Sequence, residues 1–126
     1  MSGRVEQRLL DLGIVLPPPR SPAANYVPFV RSDAWLHLAG QVSADPGGGI
    51  EGTVGLDVDV ARGQAAARLC GLNLIAQMKV ACDGDLDRVE QVVRLCGYVQ
   101  AAAGFADIPQ VVNGASDVMV EVFGDA

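Results

Sequence analysis

A long helical pattern between two β-prone stretches is the feature that most constrains how this chain can fold. The pattern begins near Asp57 and ends at Gly84, and its apolar residues recur at spacings of three or four: Ala65, Leu69, Leu72, Ala76 and Val80. The stretch from Glu90 to Gln100 alternates with a period of two, so we expect a central strand with Val93, Leu95, Gly97 and Val99 on one face. A helix between strands is the usual crossover between parallel strands, which predicts an α+β fold.

The N-terminal residues predict a short helix followed by a connector. Val5, Leu9 and Leu12 form one apolar stripe, and Gly13 follows it as a stop. Consecutive prolines then impose an extended conformation from Leu16 to Pro22.

An antiparallel hairpin and a glycine-rich loop are predicted next. The β-prone runs Val27 to Arg31 and Ala34 to Gly40 are separated by Ser32 and Asp33, a polar pair of the length that hairpin turns use. The stretch from Asp45 to Gly55 contains one proline and five glycines, which predicts a mobile loop.

A second helix is predicted near the end of the chain. Asp107 is its candidate N-cap, Pro109 suits the first turn and Gly124 follows the last one; the apolar stripe is Val112, Ala115, Met119 and Val122. Such a helix normally leads back to the sheet that it covers. We therefore expect one or two further strands after Ala126, or an edge from a partner chain, and we interpret residues 1–126 as one domain that is incomplete at its C-terminus.

Charge and cysteine content indicate the class of protein. The formal net charge is -6, and the nine basic residues form no cluster, which disfavours nucleic acid and anionic membranes as partners. Three cysteines without a signal segment indicate a reducing, cytoplasmic setting, and no apolar run reaches the roughly 20 residues that span a bilayer.

Several short motifs favour structural rather than chemical roles. The string Gly47-x-Gly49-x-x-Gly52 lacks a helix at its end, so a loop is favoured over a dinucleotide site. Asp83, Asp85 and Asp87 resemble the start of a calcium loop, but Arg88 stands at the required glycine, which favours a turn. No metal site is predicted.

The single histidine and the cysteines are also interpreted as structural. His37 lies within a predicted strand, where a packed or surface imidazole is favoured over a catalytic base. Cys70, Cys82 and Cys96 lack the close spacing of zinc or redox pairs, so we interpret them as small buried hydrophobes.

Two polar residues leave alternatives open. Asn113 adjoins the stripe of the second helix and is either an exposed helix position or an amide that faces a pocket. Tyr26 is either a core aromatic or a pocket wall.

An ordered series of motifs spans nearly the whole chain: Pro22-Ala23-Ala24-Asn25-Tyr26, Leu38-Ala39-Gly40-Gln41-Val42, Gly52-Thr53-Val54-Gly55, Gly84-Asp85-Leu86-Asp87-Arg88-Val89, Val112-Asn113-Gly114-Ala115-Ser116-Asp117 and Val122-Phe123-Gly124-Asp125. This series resembles the Rid family, the reactive-intermediate deaminases also called the YjgF or L-PSP endoribonuclease-like family, in its YjgF-like subgroup. The resemblance implies a chorismate-mutase-like fold, a mixed sheet covered by two helices in the order β-β-α-β-α, and a homotrimer with clefts between subunits. It also implies hydrolysis of enamines and imines such as 2-aminoacrylate, to 2-keto acids and ammonia, without metal or organic cofactor.

The resemblance also implies where a small carboxylate substrate binds. Tyr26 would border the cleft, Gly40 and Gln41 would form the pocket rim, and Phe105 and Asn113 would approach from the second helix. Ala39 stands where many relatives carry serine, which removes a hydroxyl contact.

Departures from the family pattern, and the family's older name, leave two alternatives to the deaminase open. The family's carboxylate-binding arginine and water-holding glutamate would lie on strands after Asp125, so we assign no catalytic residue. Ala39 and the unmatched arginine favour a non-catalytic carboxylate-binding or scaffold trimer as an alternative. An endoribonuclease is a second alternative, which the acidic charge disfavours.

Overall fold

The computed structural model describes residues 3–21, 24–45 and 47–124. Pro22 and Ala23 of the first family-like motif, Pro46 of the glycine-rich loop, and Asp125 and Ala126 lie outside the described residues. The described elements are α1 (Arg4–Asp11), β1 (Phe29–Ser32), β2 (Trp35–Leu38), β3 (Ala44–Asp45), β4 (Gly48–Gly49), α2 (Val60–Ala81), a 3-10 turn (Leu86–Arg88) and α3 (Ile108–Phe123). The predicted α+β class is confirmed.

The long helix α2 begins three residues later than predicted. Its N-cap is Asp59, whose carboxylate accepts a hydrogen bond of 2.8 Å from the backbone N–H of Arg62. Asp57 lies outside the helix because its carboxylate accepts a 2.6 Å bond from the Thr53 N–H and closes the preceding turn.

The helix α2 is confirmed, and its predicted stripe is confirmed only in part: Ala76 is buried and Leu72 packs against the core. Ala65 and Val80 are exposed, whereas Ile75 and Met78 are buried. One side of α2 packs against α3 and another packs against the hairpin, so α2 buries a wider surface than a single stripe provides.

The second helix, α3, is confirmed with most of its predicted stripe. Ala115, Met119 and Val122 are buried, and Val112 is half-buried. Gly114 allows α3 to approach α2 closely, because a side chain there would collide with the backbone of Gln64. Asp107 occupies the predicted N-cap position but makes no capping hydrogen bond with its side chain.

The short helix α1 joins the same core. Val5 and Leu9 are buried against Ile75 and Val118, whereas Leu12 is 45 % exposed, so its predicted place in the stripe is wrong. Leu12 lies after the last helical residue, Asp11, where the chain no longer follows the helical period.

The hairpin is confirmed with its turn displaced by one residue. β1 and β2 pair antiparallel, with Ser32 opposite Trp35, so Asp33 and Ala34 form the turn. Asp33 has a φ of 53°, a left-handed conformation that aspartate tolerates better than most residues. The glycine-rich stretch is not a loop throughout, because β3 and β4 pair antiparallel within it.

The predicted central strand from Glu90 to Gln100 is not formed among the described residues. Val92, Leu95 and Val99 pack against the core, but Val93 is 64 % exposed, so strict alternation also fails. None of the N–H groups from 90 to 99 donates to another described backbone carbonyl. A strand is defined by its pairing with another strand, and the bridge found next to this stretch is a single parallel one between Val54 and Ala101.

No helix among the described residues is long and apolar enough to span a membrane. The helices form one layer, and side chains of the hairpin and of residues 89–95 pack against its apolar core. Leu86, at the turn after α2, completes that core.

Candidate functional site

The predicted rim residues Ala39, Gly40 and Gln41 lie directly after β2. The N–H of Ala39 donates to the Pro28 carbonyl at 2.9 Å, which continues the hairpin pairing by one bond. Gly40 is exposed, and a side chain built on it would meet open space. Gln41 is half-buried, and its side-chain amide lies 3.5 Å from the Ala39 carbonyl oxygen. The rim therefore offers backbone and amide groups to solvent or to a ligand.

Tyr26 lies near this rim. It sits two residues before Pro28, whose carbonyl holds Ala39, and it is 47 % exposed. The alternative that Tyr26 is a core aromatic is therefore wrong. The base of the hairpin brings Tyr26 and the rim to the same end of the molecule.

Phe105 and Asn113 lie in a second region, where α2 and α3 begin. Phe105 is half-buried and packs against the cluster of Val54, Val58 and Val111, beside Gly55. Asn113 is exposed on α3, so it is an exposed helix position. Its role in binding a ligand stays a prediction.

One chain does not bring these two regions together. Asn73 of α2 contacts the loop after Gln41, whereas Gly63 packs against Val54 and Val111 near Phe105. Ten helical residues separate Gly63 from Asn73, which is about 15 Å at the α-helical rise. Among the described residues, no hydrogen bond joins residues 39–41 to Phe105 or Asn113.

Two buried amides on α2 were missed by sequence reasoning. Asn73 is 1 % exposed and Gln77 is 2 % exposed, and both donate to backbone carbonyls outside the helix. Their spacing of four places them on one helix face. The available signal was a pair of amides inside the apolar run from Leu72 to Val80, where polar residues need partners.

Three carboxylates meet beside the N-terminus of α1. Oxygen atoms of Glu6, Asp85 and Asp87 lie within 4.8 Å of one another, a spacing that could hold a cation. Each nevertheless has a structural partner: Asp87 accepts from the N–H groups of Arg4 and Val5, both at 2.8 Å, Glu6 accepts from Leu86, and Asp85 accepts from Asp87. The expected turn at these aspartates is thus a cap for α1.

Hydrogen bonding shifts the ionisation of this cap. The bonds from the N–H of Val5 and then Arg4 lower the pKa of the Asp87 carboxyl below its ordinary value of 3.8. The charge of Asp87 also suits the positive end of the α1 dipole.

The histidine and cysteines fit structural roles with one exception. His37 is exposed on the face of the hairpin opposite the helices, which matches the surface interpretation. Cys70 and Cys82 are half-buried, and burial raises the pKa of both thiols. Cys96 is exposed, so the expectation that all three cysteines are buried is wrong.

A groove of about 900 Å³ lies between α1, the proline connector and the end of α2. Leu9, Ile14 and Leu16 contribute to its largely apolar lining, and Lys79 adds a charge. None of the six predicted substrate-binding residues lines it. It is therefore separate from the rim.

Comparison with known proteins assigns the family. Residues 6–126 match the family described as "YjgF/chorismate_mutase-like, putative endoribonuclease". The chain belongs to this family. The predicted Rid/YjgF resemblance and its chorismate-mutase-like fold are thereby confirmed.

Individual members of the YjgF family are similar to this chain over nearly its whole length. Protein TCP17 of Trypanosoma cruzi is 46 % identical over 125 residues, which cover 98 % of this chain and 78 % of that protein. The crystal structure of a "putative endoribonuclease" from Shewanella oneidensis superposes with a TM-score of 0.93 at 37 % identity, covering 98 % of this chain and 82 % of the other. Atu1372 of Agrobacterium tumefaciens, a protein of unknown function, gives a TM-score of 0.85 at 42 % identity, covering 96 % and 75 %.

Proposed function

We propose that this YjgF-family protein hydrolyses reactive enamine and imine intermediates of the 2-aminoacrylate type. Water adds to the imine carbon, the carbon–nitrogen bond breaks, and ammonia leaves as the 2-keto acid forms, so the reaction needs no oxidant or reductant. The observation that carries the proposal is the rim of residues 39–41, where Gly40 is exposed between the half-buried Ala39 and Gln41, and where the family resemblance assigns substrate binding.

The rim suits a small polar ligand. Its exposed backbone at Gly40 and its half-buried amide at Gln41 offer hydrogen-bonding groups, and Tyr26 adds a half-exposed aromatic ring. The proposal assigns substrate binding to Tyr26, Ala39, Gly40, Gln41, Phe105 and Asn113. It assigns no catalytic residue, because no arginine of this chain matches the family's carboxylate-binding position.

A homotrimer is part of the same proposal. The two regions of predicted site residues lie about 15 Å apart along α2, so a cleft that uses both would combine residues of neighbouring subunits. Val30 and Trp35 are 52 % and 56 % exposed on the face of the hairpin opposite the helices, and they would suit an interface between copies.

We place the protein in the cytoplasm, acting on small molecules without nucleic acid, membrane or cofactor.

The test follows 2-aminoacrylate generated in solution, with ammonia and keto acid measured against the spontaneous rate. We expect acceleration by the wild-type protein and inhibition by 2-ketobutyrate. Gln41→Ala should reduce the acceleration by about tenfold, the value of one hydrogen bond to a ligand. Gln7→Ala is the matched control, because the Gln7 amide donates to Asp11 within α1, outside both regions of predicted site residues. Turnover no faster than the spontaneous rate would contradict the proposal.

Two alternatives have their own observations. Ala39, in place of the serine of many relatives, favours a non-catalytic carboxylate-binding or scaffold trimer, for which 2-ketobutyrate should raise the melting temperature without any turnover. The descriptions of the family and of the Shewanella oneidensis relative favour an endoribonuclease. The net charge of -6 opposes RNA binding, and degradation of RNA by a nuclease-free preparation would decide for that alternative.

A further inference from the structure

The buried amide of Asn73 makes two hydrogen bonds, both to the loop that follows the rim. Its Nδ2 donates to the carbonyl oxygens of Val42 at 3.0 Å and Ala44 at 2.8 Å. An amide NH₂ has two protons to donate, so both of them are used here. One side chain of α2 thus holds two carbonyls of the loop backbone, one on each side of Ser43.

The oxygen of the same amide makes no comparable contact. The Oδ1 atom of Asn73 is buried and has no hydrogen-bond partner among the described residues. A buried acceptor without a partner costs free energy, and an apolar residue of the same shape would avoid that cost. What the amide supplies is the pair of bonds to the loop.

The rim depends on this attachment because its backbone has few hydrogen bonds of its own. Between Ala39, which is held by Pro28, and Val42, which is held by Asn73, the backbone groups of Gly40 and Gln41 bond to no described backbone, and the Gln41 side-chain amide reaches the Ala39 carbonyl at 3.5 Å. Beyond Val42, the loop is closed by Ser43 and Ile50, which bond to each other in both directions at 2.7 and 2.8 Å. The rim is therefore a short span fixed at its two ends.

We propose that Asn73 is a positioning residue that fixes the Gly40–Gln41 rim through the Val42 and Ala44 carbonyls. The effect on a ligand rests on the proposed function, whereas the attachment of the loop does not. Asn73 acts through the backbone and does not itself touch the substrate.

Gln77 provides a matched control one turn further along α2. It is also buried, and its Nε2 donates at 2.9 Å to the Arg20 carbonyl in the proline connector. Asn73→Leu and Gln77→Met each remove the donors of an amide and keep its approximate shape. Asn73→Thr, which retains one hydroxyl donor, keeps the proposal testable if Asn73→Leu does not fold.

The first measurement is amide hydrogen exchange at Ala44 and Ile50, whose N–H groups donate to Val42 and Ser43. We expect Asn73→Leu to accelerate exchange at both by about tenfold, since two hydrogen bonds are lost, and Asn73→Thr to have a smaller effect. Gln77→Met should leave both rates unchanged. Equal effects of Asn73→Leu and Gln77→Met, or none from Asn73→Leu, would overturn the inference.

The second measurement is the Kd for 2-ketobutyrate and, where turnover is found, the KM and kcat for the imine. Asn73→Leu should weaken ligand binding by about tenfold and raise KM more than it lowers kcat, and Gln77→Met should stay within about twofold. If the wild-type protein neither binds 2-ketobutyrate nor accelerates hydrolysis, the proposed function fails. The exchange rates still decide whether Asn73 fixes the loop.

Discussion

The helix pair and the extended residues 89–100 pack on the same core but satisfy their backbone groups in different ways. Ile75 of α2 and Val118 of α3 are fully buried, and the helical backbone is bonded within each helix. Leu95 reaches the same core, yet the backbone from 90 to 99 makes no hydrogen bonds to other described backbone. The helices are complete by themselves, whereas the extended residues need a neighbour to become a strand.

This difference predicts where side-chain burial contributes most to stability. The extended residues keep their backbone groups near water, because most of their side chains are exposed, and solvent can pair those groups. The helices bury their apolar faces against each other. We therefore expect the helix pair to carry most of the free energy of unfolding.

The largest expected effect comes from truncating the helix core. Ile75→Ala should lower the free energy of unfolding by about 2–5 kcal/mol, because it leaves a cavity at a position with no exposure. Val93→Ala, in the extended residues, should change it by less than about 0.5 kcal/mol, since Val93 is 64 % exposed. Urea denaturation of both variants measures the comparison. A loss at Val93 as large as that at Ile75 would show that the extended residues are buried against a further surface.

Backbone protection gives the second test. Amides from 91 to 99 should exchange at least about a hundredfold faster than those in the middle of α2, because protection follows hydrogen bonding and spans the full range up to global unfolding. Exchange measured residue by residue by NMR makes this comparison within one sample. Slow exchange from 91 to 99 would instead reveal a strand partner, which the same experiment at several protein concentrations would assign to another copy or to the chain itself.

The same contrast explains which parts of the fold could be predicted from sequence. The spacing of Ala115, Met119 and Val122 located α3 correctly, because a helix is specified by residues a few positions apart. The alternation around Leu95 predicted a strand that the structure does not form, because pairing depends on residues distant in sequence. The start of α2 was missed because Asp57 and Asp59 are both plausible caps, and only the bond from Asp57 to Thr53 separates them.

The rim of the candidate site could be predicted from the sequence, but the buried residue that holds its loop could not. The motif around Gly40 and Gln41 identified the rim through family resemblance. The roles of these residues in substrate binding stay predictions. Asn73 was not identified, because a buried asparagine in a helix looks like any polar residue until its partners are known. The distance between the rim and Phe105 could likewise not be predicted, because it is set by the length of α2 that lies between them.

The smallest expected effect is at Asp87, whose carboxylate caps the N-terminus of α1. Asp87 comes just before the extended residues, so this cap joins their start to the helix layer. Its folded-state pKa is below the ordinary value of 3.8, so the folded protein binds this proton less readily than the unfolded chain. The contribution to stability is therefore fully present above that value and is lost as the pH falls through the lower folded-state pKa. Asp87→Asn removes the charge but keeps a carbonyl oxygen that can still accept one of the two bonds.

We accordingly expect Asp87→Asn to lower the midpoint of urea unfolding at pH 7 by less than Ile75→Ala does. The difference from wild type should shrink as the pH falls from 3.8 through the lower folded-state pKa, since protonation neutralises Asp87 first in the unfolded chain and then in the folded protein. Asp107→Asn is the control, because Asp107 occupies the N-cap of α3 without a side-chain capping bond and should show a smaller, less pH-dependent change. If the two variants lose equal stability at every pH, the bonds from Arg4 and Val5 to Asp87 do not stabilise α1. The extended residues and the helix layer would then be joined by apolar packing rather than by this cap.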